Sequence, residues 1–415
     1  MKDNMRDALP ALTGLRFVAA AAIVLDHLWP VIFKLSSGVP LADAFHQLSF
    51  LGMSLFFVLS GFIIHYNYAG SVGSLSMRGL YGFAVARFSR LYPLFLALVT
   101  YDVVCGNFFL FQPNEQMNFI NALPYTLTAT QSWFYGFIGN HPIAFPFHFA
   151  HVTWSISTEF FLYLTYPFLC VLVLRARDEW RAIVTALGTV LAGAVILSLL
   201  KSHTVMIDRV AAWFGVVENP AADPGTQFSD WFNYIAPYSR VLEFAAGCAL
   251  AQVHRRLAGI ASSTREQRIA GVVFGLAVLD IAAFVLRGEF GSPIFAAAVG
   301  GVGLLPAICV LIFCCARYEL PAVTALSGVR IVALGEASYS MYLLHLIVIE
   351  KSAPTSLVDP TLVNIGILLG RTAVILCAIG VLSLGVHRCF EVPAKNWLRD
   401  KLMPSPKLAA AMPVS

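Results

Sequence analysis

Charge is what this sequence has least of. Asp, Glu, Lys and Arg make up 12% of its 415 residues, against about 25% in an ordinary soluble domain. That scarcity excludes a water-soluble surface, which needs charge to stay dispersed. The formal net charge is only +4 and no clustered basic domain is present, so the pattern is no nucleic-acid footprint. Cysteine is sparse too. The eight cysteines (Cys105, Cys170, Cys248, Cys309, Cys314, Cys315, Cys377 and Cys389) fall mostly in apolar stretches. Their spacing suggests neither a zinc site nor a disulfide framework, and they read as small hydrophobes. His141, His148 and His151 match no metal-ligand spacing, so no metal is expected. No A-x-A-like cleavage site closely follows Lys2 and Arg6, and the first apolar segment is expected to be retained as a membrane helix. Internal repeats and a separate soluble domain are also missing.

Apolar sequence is abundant. Hydrophobic residues make up 58% of the chain, and the mean hydropathy is +0.76. A membrane-crossing helix needs about 20 mostly apolar residues, and ten such segments recur: roughly 12–33, 48–66, 91–111, 152–174, 182–200, 238–254, 269–287, 293–315, 331–350 and 361–387. The fold expected is an all-α integral membrane protein of about ten transmembrane helices. One membrane domain spans 1–402, and 403–415 reads as a disordered cytoplasmic tail. With the N-terminus inside, nineteen of the Lys and Arg residues fall on the cytoplasmic side. Five fall outside (Lys34, Lys201, Arg209, Arg287 and Lys351) and three within the segments (Arg16, Arg240 and Arg371). The positive-inside bias puts both termini in the cytoplasm. Two long outer loops follow, 112–151 and 201–237. Their Trp133, Trp213, Trp231 and tyrosines read either as sugar-stacking surfaces or as interfacial aromatics.

Ionisable residues inside a bilayer are costly and mark function or structural pairing. Arg16 and His27 lie eleven residues apart. Eleven steps of 100° make about 1100°, only about 20° from three turns, so both share one helix face about 16 Å apart. The Ala-rich run between them lets neighbouring helices approach closely. A neutral imidazole at depth suits a general base; a snorkelling Arg and a structurally bonded His are the alternative. The adjacent Asp26 points about 100° away, which argues against its orienting His27.

Arg87 and Arg90, three apart in "ARFSRLYP", face one side where the third helix enters. Paired guanidiniums suit phosphate, and ordinary positive-inside anchoring is the alternative. Ser155 and Glu159, four apart in "HVTWSISTEFF", stack on one face with His151 continuing the stripe. A buried carboxylate there needs a cationic partner, whether for function or as a structural ion pair. "GEASYSMYLLHL" offers Glu336, Ser338, Tyr339, Tyr342 and His345, with Ser338 and His345 seven apart on one face. These read equally as interhelical glue or substrate contacts. Arg240 and Glu243 are positioned to pair with each other. "FFVLSGFII", around Ser60 and Gly61, reads as a close-packing site. Asp102, Asp280 and Arg371 receive no role.

Taken in order, Arg16 with His27, "FFVLSGFII", "RFSRLYP", "WSISTEFF" and "GEASYSMYLLHL" followed by "FEVPAKNWL" resemble the membrane acyltransferase-3 family along the whole chain. The resemblance implies transfer of an acyl group, most often acetyl, from cytoplasmic acyl-coenzyme A to a hydroxyl. Acceptors in such a family are surface or exported carbohydrates; macrolide-like or lipid acceptors are the alternative. It makes His27 the catalytic histidine with Arg16 as its essential partner, adds Glu159 to the residues needed for activity, and puts Arg87 and Arg90 at the acetyl-coenzyme A site. It assigns Ser338, Tyr339 and His345 to substrate contact. It further implies a bacterial inner-membrane location. Some relatives carry an appended extracytoplasmic hydrolase-like domain, so a two-step transfer would need a partner protein. His27 is expected either to deprotonate the acceptor hydroxyl or to carry the acyl group itself, with Arg16 or another buried donor stabilising the oxyanion. A proton-coupled transporter is the reading from a different class.

Overall fold

The computed structural model describes residues 9–33, 40–105, 113–139, 141–145, 147, 149–216, 227–286, 303–352 and 362–403. Over these residues the chain is almost wholly helical. The described strands are Phe137–Ile138 and His141–Pro142, which pair as one small antiparallel hairpin. Six helices make up the first half: α1 (Pro10–Phe33), α2 (Pro40–Val72), α3 (Met77–Cys105), α4 (Pro113–Leu127), α5 (Trp154–Leu174) and α6 (Glu179–Ser202). The short α7 (Thr204–Trp213) and the one-turn α8 (Phe228–Asp230) precede α9 (Pro237–Arg256) and α10 (Thr264–Leu286). Then come α11 (Leu305–Arg317), α12 (Pro321–Leu326), α13 (Val329–Glu336), α14 (Ser338–Ser352), α15 (Leu362–Val386) and α16 (Val392–Leu402).

Seven helical stretches among the described residues are long and apolar enough to cross a membrane: α1, α2, α3, α5, α6, α10 and the α15–α16 run. The pair α13–α14 adds an eighth if it counts as one span, but it bends by 71° at Ala337. The sequence read 331–350 as continuous because both halves are apolar, and hydropathy carries no signal for the bend. The segment 238–254 forms α9, which buries Arg240, Glu243 and Gln252. Its polar content sets it apart from the seven. Of 293–315, the structure describes α11 and the residues just before it. Lys34, His148, Arg287 and the tail 404–415 lie outside the described residues.

The exterior explains the low charge. Leu187, Leu191, Val195 and Leu199 of α6 and Val272, Leu276 and Leu279 of α10 are exposed. Such apolar bands would associate in water and are at home against lipid tails. The interior is made by close approach. A Cβ added to Gly61 of α2 would run into the Phe244 carbonyl of α9, and one added to Gly247 of α9 into the Val58 carbonyl of α2. Each glycine thus admits the other helix's backbone, the small-residue packing that membrane helices favour. The two long loops are partly built structures over their described residues. Trp133 donates its indole N–H to the Ser157 carbonyl at 2.9 Å. Trp231 is buried against Tyr135 and Phe228, whereas Trp213 is exposed.

Candidate active site

A cavity of about 710 Å³, counting its mouth, lies among α1, α2, α3, α5 and α14. Arg16 of α1, Arg87 and Arg90 of α3, Ser155, Glu159 and Tyr163 of α5, and Tyr339 and Tyr342 of α14 supply its polar walls; Phe56, Phe57 and Ile64 of α2 supply much of its apolar wall. Helical spacing accounts for the placement. Arg87 and Arg90 are three apart and share a face, as do Ser155 and Glu159, four apart. His151 does not extend that stripe: Phe149–Thr153 is a 3₁₀ turn, and the His151 ring packs edge-on to Phe145.

The cavity's charges do not cancel. Three arginines face one carboxylate, and none of the three lies within 4.0 Å ion-pair distance of Glu159. Glu159 instead accepts a hydrogen bond from the Tyr163 hydroxyl at 2.7 Å. Arg87 donates through Nη2 to the Tyr68 hydroxyl at 2.8 Å, and its guanidinium lies 4.8 Å from that ring's centre. Arg87 Nε is buried without a partner. The charged groups around Arg16 are Arg90, Glu159 and Glu391. Buried cations normally find a carboxylate, because an unpaired one costs several kcal/mol. Guanidiniums left unpaired at one cavity make a receptor for an anion, and their planar forks match phosphate.

His27 is not among the lining residues. It stands past the Tyr342 end of the cavity, beside His345. The two rings have centroids 5.0 Å apart, and His345 lies 6.0 Å beyond the Tyr342 ring. With both rings neutral, the hydrogen bonds fix their tautomers. His345 Nδ1 lies 2.6 Å from the Tyr342 carbonyl, so it must carry hydrogen and donate. Its Nε2 is then an acceptor, and His27 Nδ1 donates to it at 3.1 Å. His27 Nδ1 also lies 3.1 Å from the Ile23 carbonyl, which again requires a donor. The remaining ring nitrogen of His27, Nε2, therefore keeps its lone pair. That is the arrangement a general base needs: one nitrogen held, the other free to take a proton.

The face of α14 toward the cavity differs from the one the sequence suggested. Tyr339 and Tyr342 line it, while Ser338 and His345 are fully buried and do not. The helix restarts after the bend at Ala337, and residues three apart, Tyr339 and Tyr342, turn inward together. Tyr339 donates to the Leu91 carbonyl at 2.6 Å and Tyr342 to the Val152 carbonyl at 2.7 Å. Both nitrogens of His345 are engaged, leaving it no atom for a substrate. Its place is behind His27.

Asp26, Asp102, Arg240 and Glu243 are satisfied by other partners. Asp26 accepts from Ser49 and faces His46 at 3.9 Å, so it does not hold His27. Arg240 pairs with Glu243 at 3.1 Å and donates to the Tyr234 carbonyl, and Ser54 donates to Glu243 at 2.6 Å. Asp102 accepts the Ala150 backbone N–H at 3.0 Å, holding the turn that precedes α5. Glu336 is exposed at the helix break, and Asp280 and Arg371 are exposed. Among the described residues no three His, Cys, Asp or Glu side chains gather as a metal site. Sequence reading passed over Tyr163, though its place four residues after Glu159 was a usable signal. Glu391 and Lys395, which lie in the "FEVPAKNWL" motif without an assigned role, come near the site only through tertiary packing.

A family profile for the acyltransferase domain, of the acyltransferase-3 type, matches residues 9–386. The acyltransferase MdmB of Streptomyces mycarofaciens is 30% identical over 352 residues, covering 82% of this chain and 79% of that protein. The peptidoglycan O-acetyltransferase OatA of Listeria monocytogenes is 24% identical over 359 residues, covering 84% of this chain and 50% of that protein. No solved structure matches the chain.

Proposed function

The chain belongs to the acyltransferase-3 family of multi-pass membrane O-acyltransferases, and from that premise we propose that it moves an acetyl group from acetyl-coenzyme A to a carbohydrate hydroxyl, with His27 as general base. The observation that carries the reading is the pairing of two sites along one run of helices. One is a cavity with more guanidinium than carboxylate; the other is a histidine whose Nε2 is held free at the far end.

Arg87 and Arg90 take phosphate groups of the donor. Arg16 works with them rather than with His27. It lines their cavity, and the about 16 Å of helix between Arg16 and His27 is too far for one guanidinium to reach a carbonyl beside the imidazole. Glu159, held by Tyr163, limits the positive charge of the cavity and so keeps the product thiol from being bound too tightly. The thioester travels toward Tyr342, inward from the arginines. At the far end His27 Nε2 accepts the hydroxyl proton while the hydroxyl oxygen attacks the thioester carbonyl. The C–O bond forms, the C–S bond breaks, and the proton passes from His27 to the departing thiolate. His345 and the Ile23 carbonyl hold the Nδ1 hydrogen throughout, which steadies the imidazolium formed in passing.

The charge bias of the loops supports cytoplasmic termini, with the arginine end of the cavity toward the cytoplasm and His27 nearer the outer face. A bacterial inner membrane fits that arrangement, and the peptidoglycan O-acetyltransferase among the relatives favours a glycan acceptor. Purified protein incubated with acetyl-coenzyme A and a muropeptide or oligosaccharide acceptor should release free thiol and give an O-acetylated product by mass spectrometry. Folded protein that consumes no acyl thioester, with any acceptor, refutes the donor assignment.

A further inference from the structure

The cavity arginines are not the end of the cationic surface. A π-helical turn, His387–Glu391, joins α15 to α16, and α16 lies along the first half of α3. Two contacts fix the register. The Tyr81 hydroxyl donates to the Leu402 carbonyl at 2.8 Å, and Met403 packs beside Gly82. At the other end Ser340 bonds Glu391 while its neighbour Tyr339 bonds Leu91, so the helices run antiparallel. Lys395 lies seven residues back from Leu402, about 10 Å, and Arg87 lies six residues on from Tyr81, about 9 Å. The two cations therefore sit level with each other, and the charged groups around Lys395 are Arg90, Glu391, Arg399 and Arg87.

Lys395 is half-buried and makes no hydrogen bond or ion pair among the described residues. The one carboxylate near it, Glu391, is already committed. It is buried, accepts from Ser340 at 2.7 Å, and lies 3.0 Å from His387 Nδ1. Arg399 is exposed one turn further out, with only its chain neighbour Asp400, at 3.5 Å, as an ion-pair partner among the described residues. The result is a ladder of cations, Arg399, Lys395, Arg87, Arg90 and Arg16, leading from the surface into the cavity. Its carboxylates number fewer than its cations: Asp400 pairs with Arg399, while Glu159 and Glu391 are bonded to residues outside the ladder.

We propose that α16 is the outer half of the donor site, and that Lys395, helped by Arg399, binds the phosphates of the nucleotide end of coenzyme A. The inference rests on the donor reading above. It assigns Arg87 and Arg90 to the phosphate nearest the pantetheine arm and the α16 pair to the phosphates further out. It makes the C-terminal helix the element that tells a full coenzyme A thioester from a bare pantetheine thioester. The same cations suit the phosphate of an anionic lipid, a second source of the same chemistry, and the exposed Trp397 on α16 would suit an interface.

The test compares wild type, Lys395→Ala and Lys395→Arg in lipid-free detergent, with acetyl-coenzyme A, its 3′-dephospho form and S-acetylpantetheine as donors. The prediction for Lys395→Ala is a preference for acetyl-coenzyme A over S-acetylpantetheine that falls about tenfold, the scale of one charge-assisted contact. The loss should lie in KM with kcat held, and Lys395→Arg should restore most of it. A structural role would instead lower turnover of all three donors in proportion. Proportional loss, or an unchanged preference in both detergent and vesicles, overturns the assignment. So does a defect seen only in vesicles that hold anionic lipid, which marks a headgroup site. Wild type that uses acetyl-coenzyme A no better than S-acetylpantetheine refutes this proposal and leaves the acyl-transfer reading standing. Wild type that uses no acyl thioester refutes both.

Discussion

His345 makes the sharpest test of the His27 geometry, because no lining atom of the cavity belongs to it. In His345→Phe the ring volume is nearly kept, while the acceptor for His27 Nδ1–H and the donor to the Tyr342 carbonyl are both removed. His27 Nδ1 keeps only the Ile23 carbonyl. One hydrogen bond is worth about 1 kcal/mol net, which alone weakens the tautomer preference by about fivefold. Ring orientation loosens as well, and loss of a partner that orients a functional histidine elsewhere costs about 10–100-fold. We therefore expect kcat to fall about 10–100-fold with the KM for acetyl-coenzyme A little changed. The Tyr342 carbonyl keeps its helical backbone partner inside α14, so the stability cost should be only about 1 kcal/mol, that of one hydrogen bond. His345→Gln puts a carbonyl oxygen where Nε2 was and should recover part of kcat. Steady-state kinetics on detergent-purified protein, with thermal unfolding as the control for folding, supplies the measurement. A folded His345→Phe with wild-type kcat would remove His345 from the mechanism. A change confined to KM would return it to substrate contact.

Two further outcomes follow from the same geometry. Arg87→Lys keeps the charge but loses the fork that reaches Tyr68 while leaving Nε for a ligand. Acetyl-coenzyme A binding by calorimetry should weaken about tenfold or more, and binding equal to wild type would show that charge alone suffices. Gly61→Leu drives a side chain into the Phe244 carbonyl; it should cost about 1–3 kcal/mol and appear as a lowered unfolding temperature with aggregation on size exclusion. Wild-type stability there would mean that α2 and α9 can separate freely.

Much of this site was legible because its parts are local. The eleven-residue spacing of Arg16 and His27, the three-residue spacing of Arg87 and Arg90, and the four-residue spacing of Ser155 and Glu159 each fix a shared face from helix geometry alone. The Arg240–Glu243 pair was visible for the same reason. What the sequence did not show is long-range or irregular. His27 and His345 are 318 positions apart, and no periodicity links them. Asp102 finds its partner 48 residues on. The bend at Ala337 lies inside a continuous apolar run, and of Ser338, Tyr339 and His345 only Tyr339 lines the cavity, joined by Tyr342 three residues on. Glu391 reaches the cavity region through a π turn, which shifts the register a regular helix would give.

The central claim is that donor binding and proton transfer belong to different residues along one path. The most direct measurement sets acetyl-coenzyme A binding beside thioester turnover in wild type, His27→Ala and Arg87→Ala/Arg90→Ala, all shown to be folded. The account predicts that His27→Ala binds the donor as wild type does and fails to turn it over, while the double arginine variant does not bind. A His27→Ala protein that retains turnover, or a double arginine variant that binds acetyl-coenzyme A normally, would contradict it.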